Sequence, residues 1–108
     1  MKKPKTVHLR KNPRALMSTP VWVYSAAKPL EPIEGLLVDL SQSGARICTI
    51  PHECPAELVI EWTPVPGLDS IKLSAHRMWA QKEYWGVQFK ALSSKQDFLL
   101  KALVRFSR

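Results

Sequence analysis

The stretch GLLVDLSQSGARICTI, residues 35–50, contains two runs of strand-forming residues joined by a polar turn. The runs 35–40 and 45–50 are rich in Leu, Val and Ile, which favour strands. The turn between them ends in Gly44, which predicts an antiparallel hairpin with a positive φ at that glycine. Side chains alternate along a strand, so Leu36, Val38 and Leu40 are expected on one face. Asp39 and Ser41 then lie side by side on the other.

Further strand patterns flank this hairpin. They cover residues 21–24, 57–62, 71–79 and 84–89, and prolines or glycines separate several of them. Six short strands at such spacing predict a mainly β fold, a six-stranded antiparallel β-barrel. In the last strand Trp85, Val87 and Phe89 are expected to face one way, with Gly86 leaving a gap on the other side.

A helix is expected at the C-terminus, covering one opening or edge of the barrel. Its start resembles a capping box over residues 94–97. Its core-facing stripe is predicted from helical spacing as Phe98, Leu99, Ala102, Leu103 and Phe106.

The N-terminal part differs in composition from the rest. Residues 1–14 hold six bases and no acid, whereas the remaining 94 residues hold ten bases and nine acids. Three prolines and the lack of an apolar period predict that residues 1–20 are a flexible basic segment, neither helix nor strand. Residues 21–108 are expected to form the barrel and helix of a single domain. Such a cationic tail attracts phosphate, although a tail that only aids solubility has the same composition.

Several classes of function are disfavoured by the sequence. No apolar run approaches the roughly 20 residues of a membrane span, and no secretory signal is present, so we expect a cytoplasmic protein. Cys48 and Cys54 are expected to be reduced thiols, and the three histidines have no metal-ligand spacing. No catalytic triad, carboxylate pair or phosphate loop is evident. We therefore expect no enzyme activity, no cofactor and no metal.

Two short motifs stand out beside this scaffold. The first is Arg-x-x-x-Arg at Arg10 and Arg14, and the second is Asp-x-Ser-x-x-Gly at Asp39, Ser41 and Gly44. Each motif alone is weak evidence. In this order, followed by Gly-Val-Gln-Phe at 86–89 and a terminal helix, they resemble the PilZ domain family of bacterial cyclic di-GMP receptors. The resemblance covers about residues 8–106.

The resemblance implies a set of ligand-binding residues. The motif positions are Arg10, Arg14, Asp39, Ser41 and Gly44, and the further candidates are Leu9, Lys11, Ser43, Trp79 and Gly86. Asp39 is expected to accept from a guanine edge or to orient an arginine. Trp79 stacks on a base or walls the pocket, unless it is only a core or rim residue of the barrel. Leu9 departs from the polar residue often found there, which leaves open whether one or two ligand molecules bind.

The resemblance also implies a mechanism. Cyclic di-GMP orders the arginine segment over the barrel and creates a surface for an effector protein of unknown identity, with an output such as motility, biofilm or exopolysaccharide control. No binding to DNA is expected. Two alternatives stay open, namely a small basic barrel that binds single-stranded nucleic acid and a protein adaptor of the same fold without nucleotide binding. In a purely structural reading, the arginines pair with surface acids and Asp39-x-Ser41 stabilises the turn.

Overall fold

The computed structural model describes residues 14–50, 53–67 and 69–106, except for the side chains of Arg14 and Phe106. Six strands and one helix lie in this part of the chain. They are β1 (Arg14–Ser25), β2 (Ile33–Ser41), β3 (Gly44–Thr49), β4 (Glu57–Trp62), β5 (Ile71–Gln81), β6 (Tyr84–Phe89) and α1 (Ser94–Phe106). No helix among the described residues is long and apolar enough to cross a membrane.

The strands form a closed antiparallel barrel in the order β1-β2-β3-β6-β5-β4, which confirms the predicted fold class. Within the described residues each strand therefore has a neighbouring strand on both sides, although β1 pairs with β4 only over Trp22–Ser25. Trp85, Val87 and Phe89 all point into the core, as their alternation predicted. Trp85 is fully buried and is the largest such side chain in the described core.

Helix α1 packs against β1 and β2, and its buried face coincides only in part with the predicted stripe, of which Leu103 packs against the core. Leu100 and Val104 enter the core, whereas Phe98 is 73% exposed. Two adjacent stripes of this helix are apolar at helical spacing, and only packing against the barrel selects one. The cap is also shifted by one residue. Ser93 Oγ accepts the Gln96 N–H at 3.1 Å, and Gln96 Oε1 accepts the Ser93 N–H at 3.0 Å.

Strand β1 begins at Arg14, which corrects the prediction that strand structure starts at Val21. Its first residues pair with the end of β2, and an irregularity between Leu16 and Thr19 adjusts the register. The prediction failed because it weighed the prolines and the charges of this segment and could not include the backbone partners that β2 supplies. Proline is tolerated in a strand next to such an irregularity.

Strand β2 carries a bulge that changes which residues face the core. The register with β3 shifts between Leu37 and Asp39, so that two residues oppose one. Leu37 and Leu40 therefore both point inward and are essentially buried. The predicted common face of Leu36, Val38 and Leu40 is wrong, because strict alternation does not survive a bulge. Asp39 and Ser41 lie beyond the bulge and still share a face, on the outside of the barrel.

Candidate functional site

A polar cavity of about 300 Å³ lies on the outer face of the barrel, beside the turn that joins β2 and β3. The second motif and the strands opposite it provide its walls. The lining residues are Asp39, Ser41, Ser43, Gly44, Ala45, Arg46, Met78, Trp79, Gly86, Val87 and Gln88. The structure thus brings six of the ten residues proposed from the sequence together around one cavity.

Ser41 organises the turn at the edge of this cavity. Its Oγ accepts the N–H of Gly44 at 3.1 Å and the N–H of Ser43 at 3.3 Å, and it donates to the Gly44 carbonyl at 3.2 Å. The hydroxyls of Ser41 and Ser43 lie 3.4 Å apart. A serine hydroxyl that closes a turn in this way fixes the local backbone. The turn stabilisation in the purely structural reading is therefore present, and it presents both hydroxyls to the cavity.

Gly44 is required for close approach and not for a special backbone angle. Among the described glycines, positive φ occurs at Gly67 and not at Gly44, which corrects the prediction for this turn. A Cβ at Gly44 would overlap the carbonyl oxygen of Val87 on the neighbouring strand β6. The glycine lets β3 and β6 meet at the cavity wall, where any side chain would force the backbone apart.

Trp79 lies on the cavity rim and owes its position to Gly86. The register of β5 and β6 shifts between Arg77 and Trp79, which turns the tryptophan onto the outer face. Its indole covers Gly86, where a Cβ would overlap the ring. The side chain is 45% exposed, so it belongs to the rim and not to the barrel core. One face of the indole can therefore meet a ligand while the backbone supports the other.

Arg46 is the charged residue among the five lining residues that were not proposed from the sequence. It lies opposite Asp39 across the bulge, with Nη2 3.9 Å from Asp39 Oδ2, and its guanidinium is 5.6 Å from the centre of the Tyr84 ring. The Asp39 residue is only 4% exposed, whereas the Arg46 side chain is 43% exposed. A hairpin around the 41–44 turn pairs residue 39 with residue 46. The opposite charges of Asp39 and Arg46 could therefore have indicated this ion pair from the sequence.

Contacts with the helix also support the turn. Gln42 Nε2 donates to Asp97 Oδ1 at 3.1 Å, and the other oxygen of Asp97 pairs with Lys101 at 3.2 Å. The first turn of α1 therefore holds the loop that carries Ser41 and Ser43. No local sequence pattern predicts this contact, because the two residues lie 55 positions apart.

The backbone of Arg14 pairs with Ser41 in the β1–β2 ladder. The second arginine of the first motif is therefore placed next to the serine of the second motif. Leu9, Arg10 and Lys11 lie outside the described residues, as does the first part of the basic segment. The structure thus joins the two motifs through one backbone pair at one end of the barrel.

The cysteines and acids do not form a metal centre within the described residues, where no group of three or more His, Cys, Asp or Glu side chains could hold an ion. Cys48 and Cys54 are free thiols. Burial raises the pKa of the Cys54 thiol to about 11, although nearby Arg77 opposes the shift. At neutral pH this thiol is protonated and acts as a core residue.

Comparison with known proteins identifies the family. The family model described as the PilZ domain matches residues 8–107, so the chain belongs to the PilZ domain family. No curated protein matches the sequence.

Three solved structures share the fold. The PilZ domain of CeSA from a cellulose-synthesizing bacterium is 22% identical, with TM-score 0.68, and the match covers 85% of this chain and 94% of that one. The PilZ domain of YcgR from Escherichia coli, solved with c-di-GMP, is 13% identical, with TM-score 0.70 and coverage of 89% and 88%. The Bacillus subtilis inhibitor of motility MotI is 17% identical, with TM-score 0.65, and the match covers 89% of this chain and 50% of MotI.

Proposed function

We propose that this domain is a cytoplasmic receptor for cyclic di-GMP, without enzyme activity, that binds the nucleotide between its arginine segment and the outer cavity. The observation that carries the proposal is the pairing of Arg14 with Ser41 in the β1–β2 ladder. The backbone of Arg14, the second arginine of the motif, is thus next to Ser41 of the Asp-x-Ser-x-x-Gly turn, which supports a shared site. The family membership and the c-di-GMP-bound YcgR domain of the same fold support the choice of ligand.

The chemistry of the arginines suits this ligand. Cyclic di-GMP carries two phosphates and two guanines. A guanidinium fork binds phosphate oxygens through two parallel hydrogen bonds and also matches guanine O6 and N7. In our proposal Arg10 and Arg14 provide these contacts, with Leu9 and Lys11 beside them. A lysine would keep the charge but lose the fork, so Arg→Lys changes are expected to weaken binding.

The cavity residues have complementary roles in the proposed complex. The Asp39 carboxylate accepts from a guanine N–H or holds a cation that faces the ligand. Arg46 already pairs with Asp39 and has an exposed guanidinium, so we add it to the proposed site. Trp79 offers an indole face for stacking, supported from behind by Gly86. Ser41, Ser43 and Gly44 offer hydroxyls and a close approach to the backbone.

The size of the cavity explains why the arginine segment is needed. About 300 Å³ is at the lower end of the range for small-molecule sites, and a cyclic dinucleotide needs more enclosure than this. In our proposal the arginine segment closes over the ligand and completes the site. Ordering backbone costs about 1–2 kcal/mol per residue, which charge-assisted hydrogen bonds of about 1.5–3 kcal/mol each offset. The closed segment forms the surface that an effector protein recognises.

Isothermal titration calorimetry with cyclic di-GMP tests the proposal. We expect binding at micromolar ligand, and a loss of about 10- to 100-fold in affinity for Arg10→Ala and for Arg14→Ala, since each removes charge-assisted bonds worth about 1.5–3 kcal/mol. Lys5→Ala is the matched control, because it removes one charge from the same segment but lies outside the motif. Its affinity should stay within about twofold of wild type at physiological salt, because salt screens charges that make no direct contact with the ligand.

Two results would contradict the proposal. The first is an absence of binding by the folded wild-type protein at micromolar ligand, which would favour a protein adaptor of this fold. The second is an equal loss of affinity in Lys5→Ala and Arg10→Ala, which would mean that only the net charge of the segment, and not the motif, contributes to binding. A steep salt dependence with oligonucleotides, together with indifference to cyclic di-GMP, would favour binding of single-stranded nucleic acid.

A further inference from the structure

A second and larger cleft, of about 1100 Å³, lies on a different part of the barrel surface. It spans β4, β1 and the first half of β2, and it reaches the end of β3. None of its lining residues belongs to the cavity beside the 41–44 turn. The two surfaces are therefore separate, and the proposed nucleotide site leaves this cleft unused.

An aromatic side chain between two carboxylates forms the centre of this cleft. Trp22 pairs directly with Glu34 on β2 and with Glu61 on β4, so all three side chains lie in one row on the outer face. Directly opposed residues on neighbouring strands have Cβ atoms about 4.5–5.5 Å apart. Trp22 is 44% exposed, and its indole is therefore available to a partner. An aromatic face beside carboxylates binds ammonium and guanidinium groups.

The Glu61 carboxylate is held in place on both oxygens. Tyr24 Oη donates to Oε1 at 3.0 Å, and Ser70 Oγ donates to Oε2 at 3.0 Å. The hydrogen bond to Glu61 raises the pKa of Tyr24, so the phenol stays protonated as a donor. A carboxylate fixed in this way loses less side-chain entropy when a cation binds to it.

The cleft is acidic, although the chain as a whole is basic. The chain has 16 lysines and arginines and nine acids, yet the described residues that line the cleft include three glutamates and no basic side chain. The third glutamate is Glu83, whose backbone carbonyl accepts the Thr49 N–H at 2.8 Å. A local acidic surface on a cationic protein selects for a basic partner.

An apolar row continues the cleft beside the carboxylates. Pro20, Leu36 and Cys48 are paired across β1, β2 and β3, and Ile50, one residue after β3, is 78% exposed. The cleft is thus longer than one cationic group needs and has room for alternate side chains of an extended peptide. These features favour a peptide segment over a small organic cation.

We propose that this cleft docks a basic, partly apolar segment of a partner protein, with a lysine or arginine side chain over Trp22 between Glu34 and Glu61. The apolar side chains of the segment pack on Leu36 and Ile50. This cleft is a second contact surface, separate from the one that the closed arginine segment forms, and peptide binding to it does not require that segment.

The test uses a short fluorescein-labelled peptide in which arginine and leucine alternate, with the full-length protein and fluorescence anisotropy. A second peptide carries citrulline, a neutral isostere, in place of arginine. We expect the arginine peptide to bind although both molecules are cationic, and the citrulline peptide to bind at least about tenfold more weakly, because charge-assisted contacts with the cleft are lost. Comparable binding of the two peptides would overturn the proposal.

Substitutions in the cleft test whether the peptide binds there. Trp22→Ala should lower affinity by about two- to thirtyfold, the range of a cation–π contact, and Glu34→Gln should lower it by at least about threefold. Glu31→Gln is the matched control, because Glu31 is an exposed acid of the preceding loop that does not line the cleft. Its affinity should equal that of wild type. An equal loss in Glu31→Gln and Glu34→Gln would reduce the effect to net charge and overturn the proposal, provided that thermal melts show both variants folded.

Other occupants give different results. Argininamide and the unlabelled arginine peptide can each be used to displace the labelled peptide. If both do so at the same concentration, the cleft is a small-cation site and the proposal fails. If replacing Lys2, Lys3 and Lys5 by serine raises peptide affinity at least about tenfold, the chain's own N-terminal segment is the occupant, and the proposal also fails. Dimerisation in sedimentation that Trp22→Ala abolishes would assign the cleft to a second copy.

Discussion

The two tryptophans of the outer barrel face are almost equally exposed but lie in different electrostatic surroundings. Trp79 is 45% exposed and lines the turn cavity together with Asp39 and Arg46, and Trp22 is 44% exposed and lies between Glu34 and Glu61 in the larger cleft. An indole in a cavity that also holds an exposed guanidinium suits an anionic ligand with stacking bases, whereas an indole between carboxylates favours a cation. The neighbouring strands, and not the aromatic residue, define the ligand class of each surface.

Strand β2 belongs to both surfaces. Glu34 and Leu36 in its first half line the cleft, and Asp39 and Ser41 in its second half line the cavity. The bulge between Leu37 and Asp39 separates the two halves. One strand can therefore present acids and apolar residues to one partner and a carboxylate with hydroxyls to another.

The largest expected effect comes from Gly44→Ala, which should break the cavity and spare the cleft. The new Cβ overlaps the Val87 carbonyl, and the backbone must shift because no flexible side chain can yield. We expect the free energy of unfolding to fall by about 1–3 kcal/mol, as for other overpacked sites, measured by urea denaturation. Cyclic di-GMP affinity should fall with it, while the arginine–leucine peptide should bind as before.

Gly67→Ala separates these two consequences of Gly44→Ala. Gly67 has a φ of 89° and no atom within 4 Å of an added Cβ, so alanine strains the backbone by about 1–2 kcal/mol without touching either surface. Its nucleotide affinity should equal that of wild type. A similar loss of affinity in both variants would mean that stability, and not the turn geometry, limits binding.

An intermediate effect is expected when the two tryptophans are exchanged for alanine one at a time. Trp79→Ala should weaken cyclic di-GMP binding by about five- to 150-fold, since stacking on one base contributes about 1–3 kcal/mol, and leave peptide binding unchanged. Trp22→Ala should show the reverse pattern. Each variant is the matched control of the other, because both remove an indole of equal exposure. If either variant weakened the binding of cyclic di-GMP and of the peptide equally, the two surfaces would not be independent.

The smallest expected effect is the acid dependence of a pair outside both surfaces. Glu57 Oε1 pairs with Lys90 Nζ at 2.8 Å, and this hydrogen bond lowers the pKa of Glu57. A carboxyl with a lowered folded pKa contributes stability above its unfolded pKa, near 4.5, and loses that contribution as the pH falls through the folded pKa. Glu57→Gln should therefore melt slightly below wild type at pH 7, and the difference should disappear as the pH falls through the folded pKa of Glu57.

The double variant Glu57→Gln/Lys90→Gln completes a double-mutant cycle that serves as the control. The coupling free energy between residues 57 and 90 should vanish at low pH, where Glu57 is protonated. The same pair sharpens the comparison of the surfaces. Glu57 does not line the cleft, so Glu57→Gln should bind the arginine–leucine peptide as tightly as wild type at pH 7. Weaker peptide binding by Glu57→Gln would attribute the contribution of the cleft acids to net charge or to the stability of the fold.

Much of the scaffold could be predicted from local patterns. Six strands and a terminal helix follow from alternation and helical spacing, and the inward face of β6 was predicted from Trp85, Val87 and Phe89. The second motif identified Asp39, Ser41 and Gly44 in the cavity wall, and the further candidates added Ser43, Trp79 and Gly86. The errors have a common origin. The β2 bulge, the buried face of α1 and the early start of β1 each depend on contacts with elements that are distant in the sequence.

The residues around the two surfaces separate what the sequence determined from what the tertiary structure decided. The sequence alone determined the strands, the basic N-terminal segment and the polar turn at 41–44, because hydrophobic period and turn chemistry act between near neighbours. Only the fold laid Trp79 over Gly86 and set Trp22 between two glutamates. These contacts depend on the register of paired strands, and a bulge of one residue resets that register without any mark in the local pattern.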